Sequence, residues 1–166
     1  MNSAQLAETE FSNDKGEGGQ FLTFILDNEE YGVEILRVQE IRGWSKVTPI
    51  PNSPPYLKGV INLRGSIVPI IDLRERFGMD SLEYGSTTVV IVLRVENGDE
   101  ERIMGLVVDA VSEVYTLNQN QCQVPPEMGV ESDEKFVKAL ASVEEKMIIL
   151  LDIDNFLNAE VSRTLN

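Results

Sequence analysis

Short runs of apolar residues alternate along the chain with turns rich in Gly, Pro, Asn and Asp, a pattern that predicts many short β-strands. The most distinctive stretch covers residues 60–73, where two β-rich apolar runs flank a turn at Arg64-Gly65. Glycine takes positive φ there without steric cost, so we predict a β-hairpin. Because Pro69 has no N–H to donate, the returning strand is expected to be an edge strand or to be bulged at that residue.

Further apolar runs predict strands along the rest of the chain, joined by turns at residues 27–29 and 97–98. Ile35, Val38 and Ile41 recur at three-residue spacing, which fits either a short helical turn or a bulged strand with one apolar face. Prolines punctuate an irregular connector over residues 49–55, and a long loop is expected over residues 118–134. The predicted strands are residues 21–26, 30–33, 87–95, 102–108, 113–117, 136–143 and 146–152.

Two short helices are predicted after strands. Asp72 and Glu75 have the spacing of a capping box, with an acid at the cap position and a glutamate three residues later. The helix that they start is expected to end near Gly78. Residues 153–157 are expected to form a closing helical turn.

A weak internal repeat underlies this order. Gly32 precedes Glu40 by eight residues, and Gly105 precedes Glu113 by the same eight. Both halves continue through a proline-containing connector, seven residues longer in the second half, into a hairpin that ends in two apolar residues and an aspartate. A repeated unit of short strands predicts an all-β fold of two similar small barrels.

Composition restricts the class of partner and the compartment. In 166 residues, 28 acidic side chains face 14 basic ones, a net charge of −14 that opposes binding to nucleic acid or anionic lipid. The longest uninterrupted apolar runs have five residues, so neither a membrane span nor a signal peptide is predicted. Cys122 is the single cysteine, which excludes an intrachain disulfide and fits a cytoplasmic protein. We expect a disordered acidic tail over residues 1–19, an ordered unit of two barrel subdomains over residues 20–158, and a C-terminal tail over residues 159–166.

The chain has no histidine, which removes the usual general base and the usual zinc ligand. An enzyme would depend on carboxylates, lysine or tyrosine. Asp72, Asp109 and Asp152 each follow an apolar strand and could form a catalytic or metal-binding set, but an aspartate at such a position also caps free backbone N–H groups. Capping is the favoured interpretation because no histidine or cysteine supports a site. No cofactor or metal site is predicted, and Cys122 lacks a basic neighbour that would activate its thiol.

Recognition of a partner remains as a second interpretation. Arg64 carries a planar donor fork suited to a carboxylate or carbonyl of a partner, although a solvated turn residue is the simpler alternative. Ile35 and Val38 could leave an apolar strip beside it for a helix, or could be core residues. Spacing alone favours the core, since apolar periodicity usually marks burial.

Several spaced motifs, taken together, resemble the CheW family of chemotaxis coupling proteins over roughly residues 20–158. The resemblance implies a non-enzymatic adaptor of two intertwined five-stranded SH3-like β-barrels, which bridges methyl-accepting chemoreceptors to the histidine kinase CheA and forms rings with CheA domains. The motifs are Glu30-Tyr31-Gly32-Val33 with residues 35–41, then residues 58–65, 67–74, 107–109, 111–114 and 148–153.

The resemblance also implies which residues bind. The helical hairpin tip of a receptor is expected in a groove between the barrels, and kinase contacts are expected on the loop over residues 121–128, at Gln123 and Met128, where relatives often carry a basic residue and an aromatic one. A coupling protein of a paralogous chemosensory pathway is the nearest alternative, and a carboxylate-based enzyme is a more distant one. The implied receptor-facing turn is Asn62, Arg64 and Gly65, and the implied groove residues are Ile35, Val38, Glu40, Val111 and Val114.

Overall fold

The computed structural model describes residues 19–125 and 136–158, and in this part of the chain eleven strands form two sheets. Two short helices follow β5 and β11: α1 (Leu73–Arg76) and α2 (153–158). The first half contributes β1 (Gly19–Leu26), β2 (Glu29–Glu34), β3 (Val38–Gly43), β4 (Leu57–Leu63) and β5 (Ser66–Asp72). The second half contributes β6 (Val89–Asn97), β7 (Glu100–Val108), β8 (Ala110–Leu117), β9 (Cys122–Gln123), β10 (Val137–Val143) and β11 (Lys146–Leu151).

The two halves exchange strands. The first sheet has the order β8-β1-β2-β11-β10-β9 and the second the order β3-β6-β7-β5-β4, so each combines strands from both halves. Apart from β9, exchanging the halves converts one strand order into the other. The hairpins pair antiparallel, whereas β2 pairs with β11 and β5 with β7 in parallel. The all-β fold and the internal repeat are thereby confirmed as an approximate twofold arrangement, while closure into SH3-like barrels stays a prediction.

The repeated glycines mark the two parallel contacts. Gly32 lies beside Leu150 on β11, and Gly105 lies beside Ile70 on β5. A Cβ atom would stand 2.8 Å from Leu150 Cδ2 at the first site and 2.7 Å from Ile70 Cδ1 at the second. Both positions therefore require glycine for the same reason, because the parallel neighbour already fills the space of a side chain.

A shared core lies between the sheets, and each sheet has a smaller core of its own. Neighbouring aromatic rings run through the shared core with centroids 5.0–6.1 Å apart. In order of contact, the rings are Phe24, Tyr31, Phe77, Phe156 and Phe136.

The hairpin predicted at Arg64-Gly65 is present, with φ of 50° and 91° at the two turn residues. The prediction that Pro69 marks an edge strand is wrong, because β5 lies between β4 and β7. Val60, which lies opposite Pro69 on β4, makes its N–H and C=O hydrogen bonds with Thr48 instead. The missing N–H of Pro69 therefore breaks no hydrogen bond between β4 and β5. Parallel pairing with β7 begins at Ile70, one residue later, and the nearby bulge lies on β4.

Both interpretations of the 35–41 spacing hold in part. Ile35–Arg37 forms a 3₁₀ turn, and β3 follows with a bulge between Val38 and Glu40. Ile41 is 42% exposed, so it is not a core residue.

Other boundaries differ little from expectation. The turn between β6 and β7 lies at Gly98-Asp99, one residue later than predicted, and β8 begins at Ala110, three residues earlier. The predicted loop after β8 contains a 3₁₀ turn (Gln119–Gln121) and β9, which pairs with β10 and gives the first sheet a sixth strand. The predicted N-terminal tail (residues 1–19) lies outside the described residues except for Gly19, which begins β1. The predicted C-terminal tail (residues 159–166) and residues 126–134 of the predicted loop also lie outside them.

Candidate functional site: a groove between two edge strands

The edge strands β3 and β8 occupy equivalent places in the two halves, and both border the shared core. Four apolar residues of these strands lie directly opposite buried residues of that core. Residues opposite each other in antiparallel strands project on the same face, so all four point toward the space between the sheets. The pairs are Val38 with Leu93, Ile41 with Ile91, Val111 with Phe24, and Val114 with Leu22.

This apolar set reaches the solvent at the rim of the shared core. Ile35, Val38 and Val111 are partly buried against the core, whereas Ile41 and Val114 are 42% and 48% exposed. Each sheet therefore contributes an apolar edge strand to this rim, and the groove implied for Ile35, Val38, Val111 and Val114 stays a prediction.

Ile41 is a further exposed apolar residue of this rim, which the resemblance did not include. It follows Gly32 by nine residues, as Val114 follows Gly105. The repeat was therefore the signal that could have identified Ile41 once Val114 had been selected.

Arg64 is held beside the edge strand β3 by Glu40. Nη2 of Arg64 lies 2.5 Å from Oε1 of Glu40, and Arg42 Nη1 lies 3.8 Å from Oε2 of the same carboxylate. Glu40 faces Val92 of the small core, so its side chain turns from the groove toward the hairpin end. The Arg64 side chain is 70% exposed, which leaves most of its donor fork open to a partner while one edge is fixed.

Asn62 serves the turn rather than projecting freely from it. Its Oδ1 accepts a hydrogen bond of 2.8 Å from the N–H of Gly65. This bond closes the turn, and the positive φ of Gly65 lets the chain reverse within two residues. The structure thus brings Asn62, Gly65, Arg64 and Glu40 together at the turn of the β4–β5 hairpin, which we call the first hairpin end.

The turn of the β10–β11 hairpin, which we call the second hairpin end, consists of Glu144, Glu145 and Lys146 and contacts the edge strand β8. Lys146 Nζ lies 3.0 Å from Oε1 of the buried Glu30 and 5.2 Å from the ring centroid of Tyr115 on β8. The Tyr115 hydroxyl donates to Glu113 over 3.1 Å. Each edge strand is therefore in contact with a hairpin end of its own half, β3 through Glu40 and Arg64 and β8 through Tyr115 and Lys146.

Glu30 remains ionised at this hairpin end. Burial raises the pKa of its carboxyl, but the Thr23 hydroxyl and the Lys146 ammonium more than offset this and lower the pKa below its ordinary value. The charged form is therefore stabilised by its neighbours.

Of the two residues expected to contact the kinase, the structure describes Gln123. Gln123 is exposed on β9, opposite Leu140 of β10, and Val124 beside it is 50% exposed. Met128 lies outside the described residues.

The three aspartates considered for catalysis have structural partners. Asp72 accepts from the Glu75 N–H over 3.1 Å and from the Tyr84 hydroxyl, and Asp152 accepts from the Asn155 N–H over 3.1 Å. Capping is therefore confirmed for these two. Asp109 instead accepts from the Asp27 N–H over 2.9 Å and from Arg74.

Two searches of the described residues bear on other kinds of site. Within residues 19–125 and 136–158, no three His, Cys, Asp or Glu side chains are grouped so that they could hold a metal ion. None of the helices in these ranges has the length and apolar character needed to cross a bilayer.

Exposed apolar residues on two edge strands, with the exposed Arg64 beside one of them, are typical of a surface that binds another protein. The sequence model of the CheW-like domain matches residues 20–161, and the chain belongs to this family. It is similar to Chemotaxis protein CheW of Klebsiella aerogenes, with 48% identity over 86% of this chain and 84% of the relative. The protein of the same name from Rhizobium meliloti is 36% identical over 86% and 90% of the two chains. The crystal structure of the scaffolding protein TtCheW from Thermoanaerobacter tengcongensis superposes with a TM-score of 0.71, at 35% identity, covering 81% of this chain and 88% of that one.

Proposed function

We propose that this chain is a non-enzymatic coupling protein of bacterial chemotaxis, which joins the cytoplasmic tips of methyl-accepting chemoreceptors to the histidine kinase CheA. Relatives with 48% and 36% identity are named for chemotaxis, and a solved relative is a scaffolding protein. The single observation that carries the receptor assignment is the exposed Arg64, held by Glu40 beside the apolar groove.

The groove suits a helical partner. Ile41 and Val114 offer exposed apolar surface on the two edge strands, and Arg64 adds a directional donor at one end. Apolar contact supplies affinity and a fixed polar contact supplies register, which is how an amphipathic helix is held in a groove. The helical hairpin tip of a chemoreceptor is such a partner, and Asn62 and Gly65 contribute by fixing the turn that carries Arg64.

The kinase contact belongs to another part of the molecule. CheA carries a regulatory domain of the same fold, and such domains meet this family at their barrel ends, in rings. We place the contact near Gln123 and Met128, where exposed Val124 supplies apolar surface. In this role the chain works in the cytoplasm, attached to receptor arrays at the membrane, and a paralogous chemosensory pathway would use the same surfaces.

A carboxylate-based enzyme is the weaker candidate. Asp72 and Asp152 already cap helices, and Asp109 is paired with Arg74 at 2.8 Å. A catalytic acid needs an accessible proton and a reacting group beside it, and these side chains are committed to the fold.

The proposal is tested by Arg64→Ala. Because the side chain is largely exposed, the variant should fold normally yet bind a receptor helical-hairpin fragment more weakly, by about 1–3 kcal/mol. Isothermal titration calorimetry measures the affinity. Arg102→Ala, which removes an arginine from β7 that pairs with the exposed Glu100, is the matched control for lost positive charge. Equal affinity of both variants, with folding intact, would contradict the receptor assignment.

A further inference from the structure

Positive charge is concentrated in one part of this acidic chain. Residues 41–71 contain no aspartate or glutamate, although the whole chain carries a net charge of −14. The same stretch holds four cations, Arg42, Lys46, Lys58 and Arg64. Lys58 is paired with Glu75, whereas the other three belong to β3, the residues just after it and the first hairpin end. This part of the surface therefore favours an acidic partner.

Two of these cations share one carboxylate. Arg64 Nη2 lies 2.5 Å from Oε1 of Glu40, and Arg42 Nη1 lies 3.8 Å from Oε2. Glu40 and Arg42 lie opposite Val92 and Val90 of β6, so their side chains leave β3 on the same face. One negative charge thus stands between two positive ones, which leaves a surplus of one positive charge at this place.

Arg42 has donors that the fold does not use. Its separation of 3.8 Å from Glu40 makes an ion pair but is too long for a hydrogen bond, and among the described residues no acceptor takes a hydrogen bond from its guanidinium. The Arg42 side chain is 37% exposed, and that of Arg64 is 70% exposed. Both guanidinium groups therefore have N–H donors open to an incoming oxygen.

The equivalent place in the second half lacks this pair of cations. By their spacing from the repeated glycines Gly32 and Gly105, Glu113 corresponds to Glu40 and Tyr115 to Arg42. The Tyr115 hydroxyl donates to Glu113 over 3.1 Å, so a neutral group stands where β3 carries a guanidinium. The arginine pair is thus a property of the β3 edge and not a requirement of the repeated fold.

We propose that Arg42 and Arg64 jointly bind one aspartate or glutamate side chain of the receptor helical hairpin, while Glu40 holds the two guanidinium groups in place. A carboxylate has two oxygens and forms short, charge-assisted hydrogen bonds with arginine, so it can take one donor from each guanidinium. The inference rests on the proposed function and adds to it the chemical class of the receptor group, a carboxylate and not a backbone carbonyl. It also makes Arg42 a second contact residue for the receptor.

The test is Arg42→Gln in the full chain, titrated by calorimetry with a receptor helical-hairpin fragment. Affinity should fall about three- to tenfold at low salt, and the loss should shrink as salt is raised, because salt screens a charged acceptor. Arg102→Gln is the matched control, since Arg102 is also a strand arginine, is 33% exposed and pairs with one carboxylate, that of Glu100. It removes the same charge and should change affinity less than about twofold.

The acidic receptor residue is identified from the fragment. Each aspartate and glutamate of the fragment is changed in turn to asparagine or glutamine, and each form is titrated into the natural chain and into Arg42→Gln. At one position the change should weaken binding to the natural chain and have a smaller effect on Arg42→Gln, because both changes remove the same contact. If no position behaves in this way, or if the loss in Arg42→Gln is the same at all salt concentrations, the inference is overturned.

The outcomes separate this inference from the proposed function. If Arg64→Ala weakens binding but Arg42→Gln behaves like Arg102→Gln, the shared carboxylate is wrong and the coupling role stands. If neither Arg64→Ala nor Arg42→Gln weakens binding of the fragment, the proposed receptor contact itself fails.

Discussion

Arg37 donates two hydrogen bonds to Asp154, from Nη1 at 2.8 Å and from Nη2 at 2.6 Å. Arg37 lies in the turn that carries the first half from one sheet to the other, and Asp154 lies on α2 of the second half. On the other side of the molecule, Arg74 of α1 pairs at 2.8 Å with Asp109, in the crossover of the second half. Each crossover is thus held by the helix of the opposite half, with the charges exchanged, directly before the edge strand β3 or β8 begins.

Arg37→Ala should reduce the free energy of unfolding by about 1–3 kcal/mol, because it removes a two-pronged pair and leaves a partly buried Asp154 with fewer donors. Asp154 also accepts from the Glu96 N–H at 2.8 Å, so the loss should loosen the β6–β7 hairpin as well. Urea denaturation followed by the fluorescence of the single Trp44 measures the change.

The control for this prediction is Arg102→Ala, whose pair with the exposed Glu100 should contribute less than about 1 kcal/mol. A double-mutant cycle with Asp154→Asn isolates the pair itself. A coupling free energy indistinguishable from zero would show that the crossover is held by packing alone.

Gly105→Ala should destabilise the chain by about 1–3 kcal/mol through overpacking. The added Cβ would lie 2.7 Å from Ile70 Cδ1 and 2.9 Å from Val90 Cγ1, both in the small core of the second sheet. Gly43→Ala is the matched control, since Gly43 is also a strand glycine but has nothing within 4 Å of the new atom. Thermal unfolding compares them, and equal midpoints would mean that the core around Ile70 yields without cost.

Local features of this fold could be predicted because their causes lie within a few residues. The Arg64-Gly65 turn needs only a residue that tolerates positive φ, and the cap at Asp72 needs only a free N–H three residues later. Exchange of strands between the halves has no such local cause. The pair of Arg37 and Asp154 joins residues 117 apart, and neither residue's neighbours in sequence indicate the other.

The candidate site could likewise be predicted from the sequence only in part. For Ile35 and Val38, the resemblance implies a place in the groove, while spacing alone favours burial in the core. In the structure these residues pack against the shared core and keep partial exposure, which fits both expectations. Ile41 was missed because its apolar character suggested a core residue, and only strand register shows that it lies at an open edge.

Glu30→Gln should lower the denaturation midpoint at pH 7, and the difference from the natural chain should close as the solution is acidified. The pKa of Glu30 is lowered in the folded state, so its carboxylate contributes stability above the unfolded pKa. That contribution is lost as the pH falls from the unfolded pKa through the lower, folded pKa. Urea midpoints of both proteins between pH 3 and pH 7 measure it. A difference that stayed constant with pH would assign the effect to packing instead of charge.

Ile41→Thr should weaken binding of the receptor helical-hairpin fragment about fivefold while leaving the unfolding midpoint nearly unchanged, because the side chain is 42% exposed at the groove and threonine keeps the β-branched shape that β3 favours. Val114→Thr, at the equivalent place on β8, should cause a loss of similar size. The matched control is Ile50→Thr, since Ile50 is an isoleucine of nearly the same exposure, 40%, in the connector before β4. Calorimetric titration compares the three. If Ile41→Thr binds the fragment as tightly as Ile50→Thr does, Ile41 is not part of the contact surface. If only Val114→Thr weakens binding, the partner contacts β8 and not β3.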